Sequence, residues 1–80
     1  MFINKAKDGK NNLCGPRLAA LRMALHISQR ELADRLQLQG LDVDKNAIQR
    51  IECGKRFVTD IELRALTKVL NTTYPVLLDE

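Results

Sequence analysis

Four side chains that donate hydrogen bonds cluster in one short segment of this 80-residue chain, namely Lys45, Asn46, Gln49 and Arg50. Positions 46, 49 and 50 are three and four residues apart, so a helix places them on one face. Lys and Arg match the acceptors on guanine, whereas Asn and Gln match the edge of adenine. Such a helix is predicted to enter the major groove of DNA, with the first three residues nearest the bases and Arg50 on a base or a phosphate.

The residues between these donors are apolar. Ala47, Ile48 and Ile51 are predicted to face the core, which leaves an outward face without a carboxylate. An ordinary solvated helix face is the alternative interpretation, but such a face usually mixes Glu with Lys. Asp42 and Asp44 lie just upstream and are interpreted as competing N-caps, with Asp44 preferred.

Start and stop signals predict the two helices of this unit. Ser28 and Glu31 form a capping box that opens a helix. Gly40 is predicted to close that helix or turn the following loop. The next helix is predicted over residues 45 to 52 or 53, with Gly54 as its C-terminal stop.

Three further helices complete an all-α architecture. They are predicted over residues 16–25, 59–71 and 73–78. The first has a buried stripe of Leu18, Leu21 and Leu25, and the second of the three opens with a capping box of Thr59 and Glu62. Apolar residues in the loop before residue 45 and in the last two helices are also predicted to pack in the core. They include Leu38, Leu41, Val43, Ile61, Val76, Leu77 and Leu78.

Composition limits the class of protein. The chain is 45% hydrophobic with few aromatic residues, which predicts one small domain with an aliphatic core. Residues 1–13 are predicted to be a flexible basic arm and residues 14–80 the domain. The net charge of +3 permits a polyanionic partner without proving one.

Catalytic and metal chemistry find no support in the sequence. There is one histidine and no closely spaced cysteine pair, so no metal or other cofactor is expected. The chain has no glycine-rich phosphate loop and no pair of carboxylates at catalytic spacing, so it is not expected to be an enzyme. Cys14 and Cys53 are expected to be reduced in a cytoplasmic protein, although a bridge between them is left open.

The segments described above resemble the Cro/C1-type (XRE) family of phage-repressor-like helix-turn-helix proteins. The resemblance covers about residues 15–78. It is carried by Ser-Gln-Arg-Glu-Leu-Ala at 28–33, by Ile-Gln-Arg-Ile-Glu-Cys-Gly-Lys-Arg at 48–56, by Arg17, Leu18, Leu21 and Arg22, and by the apolar residues at 63, 66, 70 and 76–78. It implies a five-helix, lambda-repressor-like bundle whose second and third helices bind DNA.

The resemblance also implies roles for residues outside the recognition helix. Gln29, at the start of the second helix, is expected to bind a DNA phosphate, with Arg30 exposed beside it. Lys55 and Arg56 are expected to bind phosphates after the third helix.

Arg22 and Glu52 are expected to form a structural ion pair between the first and third helices. One departure from the family is clear, because the turn between the second and third helices is about five residues longer than usual. A subset of bacterial relatives carries a similar extended turn.

The predicted function is a sequence-specific regulator of transcription, chiefly a repressor, that binds a double-stranded DNA operator. It is expected to be bacterial or phage-encoded, cytoplasmic and nucleoid-associated, with no membrane partner. A homodimer on two half-sites is expected, through residues 74–78 or the outer face of the fourth helix. The alternatives are the antitoxin of a toxin–antitoxin pair and a protein-interaction module that has lost DNA binding.

Overall fold

The computed structural model describes residues 4–79, which form five α-helices and no strand. In chain order the helices are α1 (Gly15–Ala24), α2 (Gln29–Leu38), α3 (Lys45–Glu52), α4 (Asp60–Val69) and α5 (Tyr74–Leu77). The predicted all-α, five-helix bundle is confirmed. Residues 1–3 of the predicted arm and residue 80 of the predicted domain lie outside the described residues. Within the described part, no helix has the length and apolar character needed to cross a membrane.

Both predicted capping boxes are present. The Ser28 hydroxyl accepts from the backbone N–H of Glu31 at 3.0 Å, and the Glu31 carboxylate accepts from the N–H of Ser28. Thr59 and Glu62 make the same reciprocal bonds at the start of α4, at 3.2 and 2.9 Å. These local bonds satisfy N–H groups that a helix start leaves without partners, so they fix where α2 and α4 begin.

The core is aliphatic, as predicted, and α3 lies within it. α3 packs against α1 and α2, α2 also packs against α4, and α5 packs against α1 and α4. The fully buried side chains are Cys14, Leu18, Leu32, Leu36, Ile48, Ile51, Leu66 and Leu77. The inward positions predicted for α3 are all confirmed, because Ala47 is buried as well. The surrounding helices therefore hold α3 by one face only.

Two leucines that were predicted to be buried are exposed. Leu25 is 44% exposed because α1 ends at Ala24 and the chain turns through His26, at φ +57°, to bury Ile27 instead. Leu38 is 87% exposed because α2 continues to this residue. A position two residues after the buried Leu36 lies on the opposite side of a helix.

The last two helices bury fewer apolar side chains than predicted. Ile61, in the first turn of α4, is 69% exposed, and Val76 is 42% exposed. Leu77 is fully buried, whereas Leu78 is partly exposed. A four-residue helix turns one side chain inward and leaves the others at its edges, so Leu77 alone closes this end of the core.

The ion pair implied by the family resemblance joins α1 to α3. Arg22 donates from Nε to Glu52 Oε2 at 2.7 Å and from Nη2 to Glu52 Oε1 at 3.1 Å. The side chains are only 15% and 9% exposed. Arg22 also donates to the carbonyl of Ile27 at 2.9 Å, which fixes the turn before α2. The hydrogen bonds to Glu52 raise the pKa of Arg22 above its ordinary value.

Removing Arg22 should therefore be costly. Arg22→Ala leaves the Glu52 carboxylate largely buried without its partner, which is expected to lower the free energy of unfolding by about 3–5 kcal/mol in urea titrations. Arg17 is the matched control, because its pair with Asp79 is exposed on both sides. Arg17→Ala should cost about 1 kcal/mol or less. Equal losses in the two variants would contradict the structural role of the buried pair.

Candidate nucleic-acid interface

α3 exposes all four residues predicted to read bases. Lys45, Asn46, Gln49 and Arg50 are exposed, and the opposite face of the helix is buried in the core. The remaining residue of α3, Glu52, is turned toward Arg22 and is largely buried. Hydrogen-bond donors therefore dominate the outward face of α3, and the single carboxylate of the helix is neutralised at its edge.

The start of α3 is fixed by Asp44, as predicted. Its Oδ1 atom accepts from the backbone N–H of Ala47 at 2.8 Å. The turn before it is anchored as well, because the Gln37 side chain donates to the carbonyl of Val43 at 2.8 Å and Val43 is buried. The turn covers residues 39–44, and its predicted left-handed glycine, Gly40, has φ +89°. Lys45 and Asn46 thus project from a fixed first turn.

The exit of α3 turns sharply at Gly54, which has φ +79°. The backbone N–H groups of Lys55 and Arg56 both donate to the carbonyl of Arg50, at 2.9 and 3.3 Å. These bonds close the carbonyl end of the helix, and Lys55 is exposed directly beyond it. Lys55 is therefore a cation at the end of the donor face, in the position expected of a phosphate-binding residue.

Arg56 differs from Lys55 because its charge is engaged. Its Nη1 atom donates to Glu62 Oε2 at 2.8 Å, and the Arg56 side chain is only 30% exposed. Glu62 in turn caps α4, so Arg56 joins the exit of α3 to the start of the next helix. The family resemblance did not reveal this structural contact. Phosphate binding by Arg56 stays a prediction, and the guanidinium that would bind the phosphate is already paired with Glu62.

Gln29 lies at the start of α2 and reaches across to α3. Its Nε2 atom donates to Glu52 Oε1 at 3.0 Å, and the side chain is partly buried. The backbone N–H groups of Gln29 and Arg30 belong to the first turn of α2, where a helix supplies no acceptor. The positive end of the helix dipole favours an anion at this point. Arg30 is exposed beside it. Because Glu52 engages the side-chain amide of Gln29, phosphate binding here stays a prediction for the backbone N–H groups and Arg30.

A family model described as helix-turn-helix matches residues 18–77. The match spans α2, the turn and α3, together with most of α1 and all of α4 and α5. The chain belongs to the Cro/C1-type helix-turn-helix family. This is a family of DNA-binding transcription regulators. No curated protein and no solved structure matches the chain.

In this helix-turn-helix protein, α2 and α3 are the two helices that the turn of residues 39–44 joins. The residues predicted to contact DNA lie at the starts of these two helices, on the outward face of α3 and just after its end.

Cys53, the C-cap residue of α3, is an exposed free thiol, whereas Cys14 is buried and free. Burial raises the pKa of the Cys14 thiol, so this residue acts as an apolar part of the core.

Two residues at this interface were not foreseen from the sequence. Asn11 donates from its side chain to the carbonyl of Lys55 at 2.9 Å. Asn12 donates to the carbonyls of Ile51 and Arg56 at 3.1 and 2.7 Å. The predicted arm thus contains two residues tied to the exit of α3. Its polar composition gives no sign of this, because Asn is equally common in unattached segments.

The cap at Asp44 can be tested separately from DNA binding. Asp44→Ala removes an acceptor at the start of α3 and should lower the free energy of unfolding by about 1 kcal/mol in urea titrations. Asp42 is exposed two residues earlier and is the matched control. Asp42→Ala should change stability by about 0.5 kcal/mol or less. A larger effect at Asp42 than at Asp44 would show that the cap is assigned to the wrong residue.

Proposed function

We propose that this helix-turn-helix protein is a sequence-specific transcriptional repressor that reads the major groove of operator DNA with α3. The single observation that carries the proposal is the outward face of α3, where Lys45, Asn46, Gln49 and Arg50 are exposed opposite a buried face. Donors of these types match base edges in the major groove. The chain acts by occupying DNA and carries out no chemical reaction.

Groups suited to bind a phosphate at both ends of the unit support this orientation. The first turn of α2, with Gln29 and Arg30, offers backbone N–H groups to one phosphate. Lys55 is exposed just past α3 and supplies a charge to another. Such contacts fix the register of a protein on the duplex without reading sequence. The side chains of α3 are then left to discriminate between bases.

A homodimer follows from the small size of the DNA-binding surface, since one domain of this kind buries limited area. The two dimer surfaces predicted from the sequence meet at one shallow cleft. This cleft is lined by Asp60, Ile61 and Arg64 of α4 and by Tyr74 of α5. Ile61 and Tyr74 are 69% and 46% exposed, so a second copy would cover apolar surface here. We expect the protein to be located in the compartment that contains the DNA it binds.

Gln49 and Lys55 should have separable effects on DNA binding. A duplex is first selected from a random pool, and binding is measured by fluorescence anisotropy at several salt concentrations. Gln49→Ala should reduce the free energy of binding to the selected duplex by about 1–3 kcal/mol and relax the preference at one base pair. Lys55→Ala should weaken all duplexes alike and lower the salt slope by about 1.

The control for these variants is Lys7→Ala, which removes an exposed charge from a residue outside α2, α3 and the cleft. Gln49→Ala and Lys55→Ala variants that bind like the wild type would show that α3 does not lie in the groove. Binding of the wild type to no duplex, at any salt concentration, would favour a protein-interaction module. A tightly co-purifying toxin would favour an antitoxin.

The dimer surface can be tested at Ile61. Ile61→Glu places a charge in the cleft and should lower the molar mass that analytical ultracentrifugation measures at micromolar protein concentration. It should also weaken binding to a duplex with two half-sites while leaving binding to a single half-site unchanged. Met23→Glu is the matched control, because Met23 is 58% exposed and does not line the cleft. An Ile61→Glu protein that still dimerises would exclude this surface.

A further inference from the structure

Residues 6–12 fold back onto the exit of α3. Residues 6–10 form a tight turn, in which the N–H of Ala6 donates to the carbonyl of Lys10 at 2.8 Å and Gly9 has φ +82°. The N–H of Lys10 is held by the Asp8 carboxylate at 3.0 Å. Hydrogen bonds within residues 6–10 therefore hold the backbone of Lys10, in addition to the contacts that this segment makes with the rest of the domain.

Asn11 attaches this turn to the residues that follow α3. Its backbone N–H donates to the carbonyl of Gly54 at 2.8 Å, and its side chain donates to the carbonyl of Lys55 at 2.9 Å. Asn12 continues the attachment. It donates to the carbonyls of Ile51 and Arg56, and its Oδ1 atom accepts from the N–H of Gly15. The two asparagines thus join the exit of α3 to the start of α1.

The side chain of Lys10 lies directly over Gly54. A methyl group built on Gly54 would come within 2.5 Å of Lys10 Cδ and within 2.8 Å of its Cβ and Cγ atoms. The aliphatic stem is therefore packed on the glycine backbone, while the residue as a whole is exposed. A packed stem with a solvated head is the usual arrangement of a lysine that presents its charge at a surface.

From this packing we infer that Lys10 binds a DNA phosphate at the exit of α3, beside Lys55, as a second cation of one phosphate site. The inference rests on the proposed function and extends it to a segment expected to be loose. Gly54 immediately precedes Lys55, so the stem of Lys10 packs on the residue next to Lys55 in the chain. Two like charges repel each other at a bare surface, and an anion between them removes that repulsion. The stem of Lys10 is already ordered, so less entropy is lost when a phosphate binds.

The inference is tested by salt-dependent binding of the full chain to the selected duplex and to an unrelated duplex. Lys10→Gln should weaken binding to both by the same factor and lower the salt slope by about 0.9, the contribution of one phosphate contact. Lys7→Gln is the matched control, because it removes the same charge from an exposed position three residues earlier. It should leave the salt slope at the wild-type value.

A double-variant cycle then tests whether docking of the segment matters. Asn11→Ala removes the side-chain bond to Lys55 and should weaken both duplexes, with its fold checked by circular dichroism. In the Asn11→Ala protein, Lys10→Gln should weaken DNA binding by a smaller factor than it does in the wild type. Full additivity of the two losses would show that Lys10 does not depend on the docked position.

The outcomes separate this inference from the proposed function. If Lys55→Gln lowers the salt slope while Lys10→Gln matches the wild type, Lys10 is not part of the phosphate site and only this inference is overturned. Equal losses in Lys7→Gln and Lys10→Gln overturn it too, because they indicate a diffuse charge effect. If the wild type binds no duplex, the proposed function fails and the inference fails with it.

Discussion

The position of α3 depends on one carboxylate. Glu52 accepts from Arg22 on α1 and from Gln29 on α2, so three helices meet at a single side chain. The burial of this group would be costly alone, and the two partners offset that cost. The same bonds keep the only acid of α3 away from its outward face. The interaction that holds the helices together therefore also keeps their exposed side favourable for a polyanion.

The turn between α2 and α3 is held in place by specific contacts. Residues 39–44 join the two helices, and within them Val43 is buried and its carbonyl is held by Gln37. Gly40 supplies the left-handed geometry at which the chain leaves α2. Asp44 then restarts the helix with a side-chain bond. Side-chain hydrogen bonds therefore hold this turn at the start of α3, and the buried Val43 packs it against the core.

Sequence was sufficient for features that depend on near neighbours. Caps such as Ser28 and the inward face of α3 follow from spacings of three and four residues, and these were predicted correctly. It was insufficient for those contacts between distant segments that the family resemblance did not imply. Neither the bond from Arg56 to Glu62 nor the attachment of Asn12 leaves a periodic signal. Leu25 was predicted to be buried because its spacing fits the stripe, but the left-handed turn at His26 decided otherwise.

The return of Asn12 to the end of α3 has a consequence for how the chain folds during synthesis. Its two acceptors there lie 39 and 44 residues further along the chain. Because residues 10–12 leave the ribosome before α3 does, they are already present when the last turn of α3 emerges. The carbonyl groups at that end can be satisfied as soon as they form. The exit of α3 therefore has its hydrogen-bond partners available before α4 and α5, which follow in the chain, have been made.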